Sequence, residues 1–262
     1  INQGAAFLSK DKPIGEFRAF EATIDTIPNK VYNVPQLRVP YKYEQPLTDE
    51  INKLLRIGVL VPNDNNEGWN TPMSCIPKPN GKIRQVLSFN LTLNKCLVKE
   101  DTFSIPWMEE MSTIPPGHTF LGTLDVSNGY WNIKVAEKDQ KKLSIFWQNR
   151  SLRFRRMPFG LRSSGAVFCR AIVWALRNMR NRQYIRLFVD DVLVHHNTFE
   201  GFAETLAEVV KLLDEAGFII SGAKTKLLHK EQRWLGRLID GHSSRADPSN
   251  IKAIQEMKAP TT

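Results

Sequence analysis

Between Thr198 and Gly217, apolar residues fall at positions 199, 202, 206, 209, 210 and 213, the spacing of one face of an α-helix. Thr198 is placed to cap this helix and Gly217 to end it, and its Phe and Leu residues read as core. A second helix is predicted to open at Thr48-Asp49-Glu50, with Thr48 as its cap. It runs through Leu54, Leu55 and Ile57 and stops at Gly58. The alternative pattern, short runs of β-branched and aromatic residues, marks strands. Leu187-Phe188-Val189 and Val192-Leu193-Val194 flank Asp190-Asp191, which predicts a hairpin with two acids at its turn. Ser74 to Val86 predicts another hairpin, turning at Asn80-Gly81. Residues 1–45 carry Pro13, Pro28, Pro35 and Pro40 and predict an extended lead-in with little regular structure. Hairpins, helices and short strands in mixed order, without an internal repeat, predict an α+β fold.

The two acids are the first chemical signal. Burying a carboxylate is costly unless a positive charge pairs with it, and no Lys or Arg lies within three residues of Asp190-Asp191. A divalent cation would remove that cost; an exposed Asp-Asp turn is the plain alternative. Thr123-Leu124-Asp125-Val126-Ser127-Asn128-Gly129-Tyr130 repeats the device, an apolar strand ending in an acid and a turn. Two-metal phosphoryl transfer needs carboxylates from separate strands, holding ions roughly 3.5–4 Å apart. Asp125, Asp190 and Asp191 would supply them.

Composition changes this picture little, and charge sharpens it. With 262 residues, 42% hydrophobic and 24% charged, the chain can bury a substantial core as one large domain or two lobes. No apolar run reaches the roughly 18 residues of a membrane span, and Ile1 opens no recognisable signal peptide, so an intracellular, cytoplasmic location without membrane contact is expected. A first residue other than Met predicts a processed product or a trimmed fragment. Cys75, Cys96 and Cys169 are widely spaced and match no zinc or disulfide pattern. The net charge of +9 points to a polyanionic partner. Residues 140–189 hold ten Arg, two Lys and no acid, which fits a surface holding phosphates beside the acidic turn, or a solvated basic face.

Four segments occur in order: Leu124-Asp125-Val126 with Gly129-Tyr130, Met157-Pro158-Phe159-Gly160-Leu161, Phe188-Val189-Asp190-Asp191, and Trp234-Leu235-Gly236. In this series the chain resembles the reverse transcriptases of gypsy-type LTR retrotransposons and, more distantly, of retroviruses. The resemblance covers roughly residues 22 to 262, from Ile24-Asp25-Thr26 onward, with Ile57-Gly58-Val59-Leu60-Val61-Pro62 similar to the segment that opens the fingers. It implies a right-hand polymerase fold, with fingers and palm present and the thumb largely missing. On that template 1–44 is the extended lead-in, 45–97 and 133–163 are fingers, and 98–132 and 164–240 are palm. Residues 241–262 begin the thumb or a linker. Ala259-Pro260-Thr261-Thr262 matches the stretch leading to thumb, connection and RNase H, so no nuclease activity is expected.

The implied activity is RNA-directed DNA polymerisation, adding dNTPs to a primer on an RNA or DNA template. Asp125, Asp190, Asp191 and the Val126 carbonyl would hold two magnesium ions, with manganese as the alternative. Lys78 and Arg84, with Lys82 as a substitute for Lys78, would grip the triphosphate; the alternative is a lysine-tipped hairpin that protects a sheet edge. Tyr130 would block a ribose 2′-hydroxyl, Phe159 and Gly160 would lie beneath the nucleotide and template base, and Lys224 would donate a proton to pyrophosphate. Trp234, Leu235 and Gly236 match the primer grip, with Trp234 equally readable as core; Arg155 and Arg156 would contact primer and template. Two departures, Ser88 and Asn90 in place of an acid and an Arg, and Ser163-Ser164-Gly165 in place of Asn-Ala-Pro, bear on template handling. They keep a second reading open: a domesticated retrotransposon-derived domain that binds nucleic acid or a protein partner with little polymerase activity. A homodimer or another protein partner, a virus-like particle and a nuclear location are the further options of either reading.

Overall fold

The computed structural model describes residues 7, 9, 12–65, 67–78, 83–98, 111–229 and 231–256. Helix α1 (Tyr41–Arg56) is followed by strands β1 (Leu60–Pro62), β2 (Met73–Pro77), β3 (Ile83–Leu87) and β4 (Phe120–Asp125). A single turn α2 (Glu137–Gln140) precedes β5 (Ser144–Trp147) and β6 (Arg150–Phe154), then helix α3 (Ser164–Ala175). The hairpin β7 (Ile185–Phe188) and β8 (Asp191–His196) leads to α4 (Phe199–Ala216). Short strands β9 (Lys226–Leu227), β10 (Gln232–Trp234), β11 (Arg237–Ile239) and β12 (Ser244–Ala246) precede α5 (Pro248–Gln255). No helix among the described residues is long and apolar enough to cross a membrane.

The central element is an antiparallel sheet in the order β7-β8-β4-β9, covered by α4, with α3 beside α4. β1, β6 and β5 form a second sheet, β2 and β3 a separate hairpin, and β10, β11 and β12 a third sheet. One aromatic cluster joins the layers: Phe218 lies 5.2 Å from Phe17 and 5.9 Å from Phe168, and Phe17 meets Trp174 edge-on at 5.6 Å. All but Trp174 are buried, each such ring contributing roughly 1.5–3 kcal/mol. The lead-in is extended, and it is laced to both layers. Phe17 N–H donates to the Asn132 carbonyl, Ala22 N–H to Lys134, and Ile27 N–H to Cys96, all within 2.7–2.8 Å. Ile24 N–H donates to the buried Asp139 carboxylate, whose other oxygen takes Lys142 Nζ at 2.7 Å.

Two helix predictions meet different outcomes. The helix capped by Thr198 begins as read: Thr198 Oγ1 accepts the Gly201 N–H at 3.2 Å, and Gly217 closes the end at φ +89°. Phe199, the first helical residue, is the exception on its stripe, half exposed and edge-on to Phe120. The helix expected to open at Thr48 starts seven residues earlier, at Tyr41. Pro40, at φ −56° and ψ 136°, sets the entry, and Pro46 sits inside the helix. Thr48 is therefore an interior residue: its Oγ1 donates to the Glu44 carbonyl at 2.8 Å and accepts from Trp147 Nε1 at 3.0 Å. Gly58, at φ +71°, follows the end as expected. The turn of the β2–β3 hairpin, expected at Asn80-Gly81, lies outside the described residues; the strands pair from Met73↔Leu87 to Pro77↔Ile83.

Strands β4 and β8 run antiparallel with Asp125 opposite Asp191 at one end, and Leu121 and Phe120 opposite His195 and His196 at the other. At that second end, His118 Nδ1 and His195 Nδ1 lie 2.8 Å apart, and the Tyr184 ring centroid is 4.2 Å from that of His196. His195 is fully buried.

Candidate active site

The three acids come from two strand ends. Asp125 is the last residue of β4, Asp191 the first of β8, and Asp190 stands in the two-residue turn closed by the Phe188↔Asp191 pair. Val189, the other turn residue, has φ +52°. A β-branched residue there costs roughly 1–3 kcal/mol and persists only where its surroundings enforce it. The Val126 N–H supplies part of that enforcement, donating to the Asp190 carbonyl at 2.9 Å and tying the two acid-bearing turns together. Ser221 N–H donates to the Asp125 carbonyl at 2.9 Å, which brings the turn carrying Lys224 alongside.

Lys224 Nζ donates to both Asp125 oxygens, at 2.9 and 3.2 Å. Loss of hydration, then the neighbouring Asp190 and Asp125, pushes the Asp191 carboxyl up to about 6, with Lys224 opposing. Asp190 is pushed up by lost hydration and by Asp125. One ammonium therefore faces three acids that disfavour each other's charge, a donor set of carboxylate and carbonyl oxygens suited to a hard divalent cation. Among the described residues no three His, Cys, Asp or Glu side chains are already gathered around a vacant ion position. The Lys224 ammonium holds the Asp125 carboxylate instead.

A cleft of about 370 Å³ opens beside the acids and is lined by Lys78, Arg84, Val126, Phe159, Asp190 and Lys224. Six residues singled out from scattered stretches of sequence thus share one cavity. Trp131, Asn128 and, from α1, Glu50 and Lys53 are among the other residues of its wall, and the sequence assigned none of them a role in a site. Lys82 lies outside the described residues. Tyr130 is not among the lining residues; it is half buried, edge-on to Phe159 at 4.8 Å and to Phe168 at 5.5 Å. Burial and then the nearby Asp190 push its hydroxyl pKa up. Gly160 adopts φ +91°, where a Cβ would lie 3.4 Å from the Leu87 carbonyl, so the turn carrying Phe159 needs glycine. Asn94 fixes that turn, donating to the Gly160 carbonyl and accepting from the Arg162 N–H.

The remaining candidates stand elsewhere. Arg156 is buried and directs its guanidinium inward, to the Gly15 and Asn132 carbonyls and the Glu16 carboxylate, which leaves it no free surface for a template. Arg155 is exposed and lines a separate cleft of about 410 Å³ with Lys134, Arg153, Glu21 and Glu137. Trp234 is 3% exposed, packs with Leu121, Leu193 and Ile239, and donates Nε1–H to the Met111 carbonyl at 2.8 Å. Leu235 and Gly236 form the tight turn after it, at φ +49° and +73°. The acid-free basic stretch is not one phosphate-facing surface. Arg150 reaches Asn52, Arg177 lies over Trp174 at 3.5 Å, Arg180 pairs with Glu208, and Arg186 binds the Thr113 carbonyl.

A profile of the reverse transcriptase (RNA-dependent DNA polymerase) family matches residues 76–239, more than half of the chain. The chain belongs to this family. It is 29% identical over 218 residues to the retrovirus-related Pol polyprotein from transposon opus of Drosophila melanogaster, covering 81% of this chain and 21% of that one. To the corresponding polyprotein from transposon gypsy it is 27% identical over 269 residues, covering 99% and 25%. The chain thus spans about a fifth to a quarter of the length of these relatives. Its fold is similar to the foamy viral protease-reverse transcriptase in complex with RNA/DNA hybrid, with TM-score 0.86 and 25% identity over 97% of this chain and 34% of that one. The same viral protein in complex with dsDNA gives TM-score 0.87 and 26% identity over 97% and 52%. The mixed helices and sheets described above are therefore part of a right-hand polymerase fold.

Proposed function

We propose that this reverse transcriptase family member catalyses two-metal nucleotidyl transfer, adding dNTPs to a primer on an RNA or DNA template. One observation carries the reading: the cleft in which Asp190, Val126 and Lys224 face Lys78, Arg84 and Phe159. The family generally uses divalent metals, and magnesium ions held at Asp125, Asp190, Asp191 and the Val126 carbonyl would assist the attacking primer hydroxyl and the leaving pyrophosphate. Arg84 and Lys78, with Lys82, hold the triphosphate in reach of those acids, and the Arg fork braces charge growing on the transferring group. Phe159 and Gly160 support the base, and Tyr130 backs Phe159 at the sugar. Lys224, whose ammonium stands beside Asp125 on the wall of the cleft, would protonate the departing pyrophosphate. Arg155 and the turn Trp234-Leu235-Gly236 hold primer and template. Residues 45–97 and 133–163 act as fingers, 98–132 and 164–240 as palm, and 241–262 begin the thumb or a linker.

Primer extension with magnesium on RNA and DNA templates tests the reading. Extension by the wild-type chain, absent in Asp190→Asn, supports it; equal extension by both, or none by either, overturns it. A second reading, a domesticated domain that binds nucleic acid or a protein partner with little or no polymerase activity, is favoured by the Lys224–Asp125 ion pair, which satisfies one acid with a side chain of the protein itself. Tight template-primer binding without extension selects it.

A further inference from the structure

We propose that Asn132 is a positioning residue that couples the lead-in, through Gly15, to the wall of the nucleotide cleft; the inference rests on the nucleotidyl-transfer reading above. Asn132 is fully buried. Its Oδ1 accepts the Gly15 N–H at 2.6 Å, and its Nδ2 donates to the Ser127 carbonyl at 3.0 Å and the Gly129 carbonyl at 3.2 Å. The side chain thus closes the loop that runs from Asp125 to Trp131, four of whose residues, Val126, Asn128, Gly129 and Trp131, line the cleft. Only an amide offers an acceptor to one segment and donors to the other at this size; a carboxylate would set its oxygens against two carbonyls, and an aliphatic side chain would orphan all three groups.

The lead-in side of the link is equally constrained. A Cβ on Gly15 would lie 2.3 Å from the Gly217 carbonyl and 2.5 Å from Asn132 Oδ1, so no larger residue fits without shifting the knot. Glu16 N–H donates to the Gly217 carbonyl at 2.7 Å. The buried Arg156 guanidinium holds the Gly15 carbonyl at 3.4 Å and the Glu16 carboxylate at 3.5 Å, and Lys134 also pairs with Glu16. Neither Gly15 nor Asn132 lines the cleft, so the coupling acts through the loop: the lead-in fixes where Asn128 and Trp131 stand relative to the acids. A displacement of that wall weakens nucleotide binding before it touches the chemistry.

The test compares Asn132→Asp, Gly15→Ala and the double variant in steady-state extension with saturating template-primer. Each single variant is expected to raise the KM for dNTP about five-fold or more with kcat within about two-fold, and the double variant to be no worse than the poorer single. A merely structural role lowers the active fraction, so a fall in kcat with unchanged KM overturns the proposal, as does no change in either. Glu16→Ala covers the case in which the knot variants do not fold: its side chain is half exposed, so the fold survives, and a smaller rise in KM alone is expected. An unchanged KM in that variant also counts against the link. If the wild-type chain does not extend primers, the polymerase reading fails on its own. Binding of a fluorescent deoxynucleoside triphosphate then reads the link, with equal affinity across wild type and variants overturning it.

Discussion

The β4–β8 pair handles ionisable groups in opposite ways at its two ends. At the histidine end, burial first, then Arg186, His118 and His196, lower the His195 pKa to about 3, and His118 is lowered mainly by burial. Both rings stay neutral at pH 7 and bond each other, while His195 Nε2 has no partner among the described residues. An orphaned lone pair costs less than an orphaned N–H, so His195 donates from Nδ1 to His118. At the carboxylate end, Asp190 and Asp191 are pushed up without being neutralised, and one lysine serves three acids. A closed, discharged cluster serves stability. An open cluster whose charges remain under mutual repulsion is poised for a cation.

The largest effect should come from discharging the open end. Asp190→Asn is expected to cut single-turnover extension by orders of magnitude while leaving the melting temperature equal or higher, because it removes repulsion together with a ligand. Retained extension would erase the functional contrast between the ends. Each end also has its tyrosine, Tyr130 near Asp190 and Tyr184 on His196. Tyr130→Ala should raise ribonucleotide relative to deoxynucleotide incorporation by about ten-fold, within the usual range for one lost contact, and Tyr184→Ala should leave the ratio unchanged. Parallel losses for both sugars in Tyr130→Ala would mark it as packing alone.

The pH dependences have opposite signs. His195 titrates lower folded than unfolded, so its contribution is present above 6.5 and is lost as pH falls toward about 3. Between pH 7 and 5 that amounts to roughly 2 kcal/mol, so His195→Phe should flatten the acid-side fall in melting temperature by several degrees. An unchanged fall would show that another group carries the acid sensitivity. Asp191 titrates higher when folded, so its contribution is present below 3.8 and is lost as pH rises through about 6. Magnesium should therefore raise the melting temperature at pH 8 by roughly 2–4 °C, the response to about 1 kcal/mol in a chain of this size, and have little effect at pH 5. Equal shifts at both pH values would place magnesium elsewhere.

The hairpin acids, the Thr198 cap and the Gly58 and Gly217 ends were legible because each rests on local rules of spacing and capping. Thr48 was misread because its hydroxyl serves Trp147, 99 residues away, and no local rule carries that partner. Arg156, Arg180 and Arg186 were misjudged for the same reason: sequence counts charges but does not say which are spent on Glu16, Glu208 or backbone carbonyls. Trp234, whose segment matched a functional motif, proves to be core, and the tight turn Leu235-Gly236 follows it. Lys53, Trp131 and Asn132 carried no signal, since a wall residue or a buried amide is recognisable only from what it faces.

The Gly15–Asn132 knot also sets an order of events in time. Its partners lie 117 residues apart, Arg156 reaches Gly15 across 141, and Glu16 awaits Gly217. During synthesis the lead-in leaves the ribosome long before anything exists for it to join, and contacts of such separation form late and slowly. The wall of the cleft is therefore completed late, when the lead-in docks on the loop after β4, while the acid-bearing strands β4 and β8 pair through contacts of shorter range.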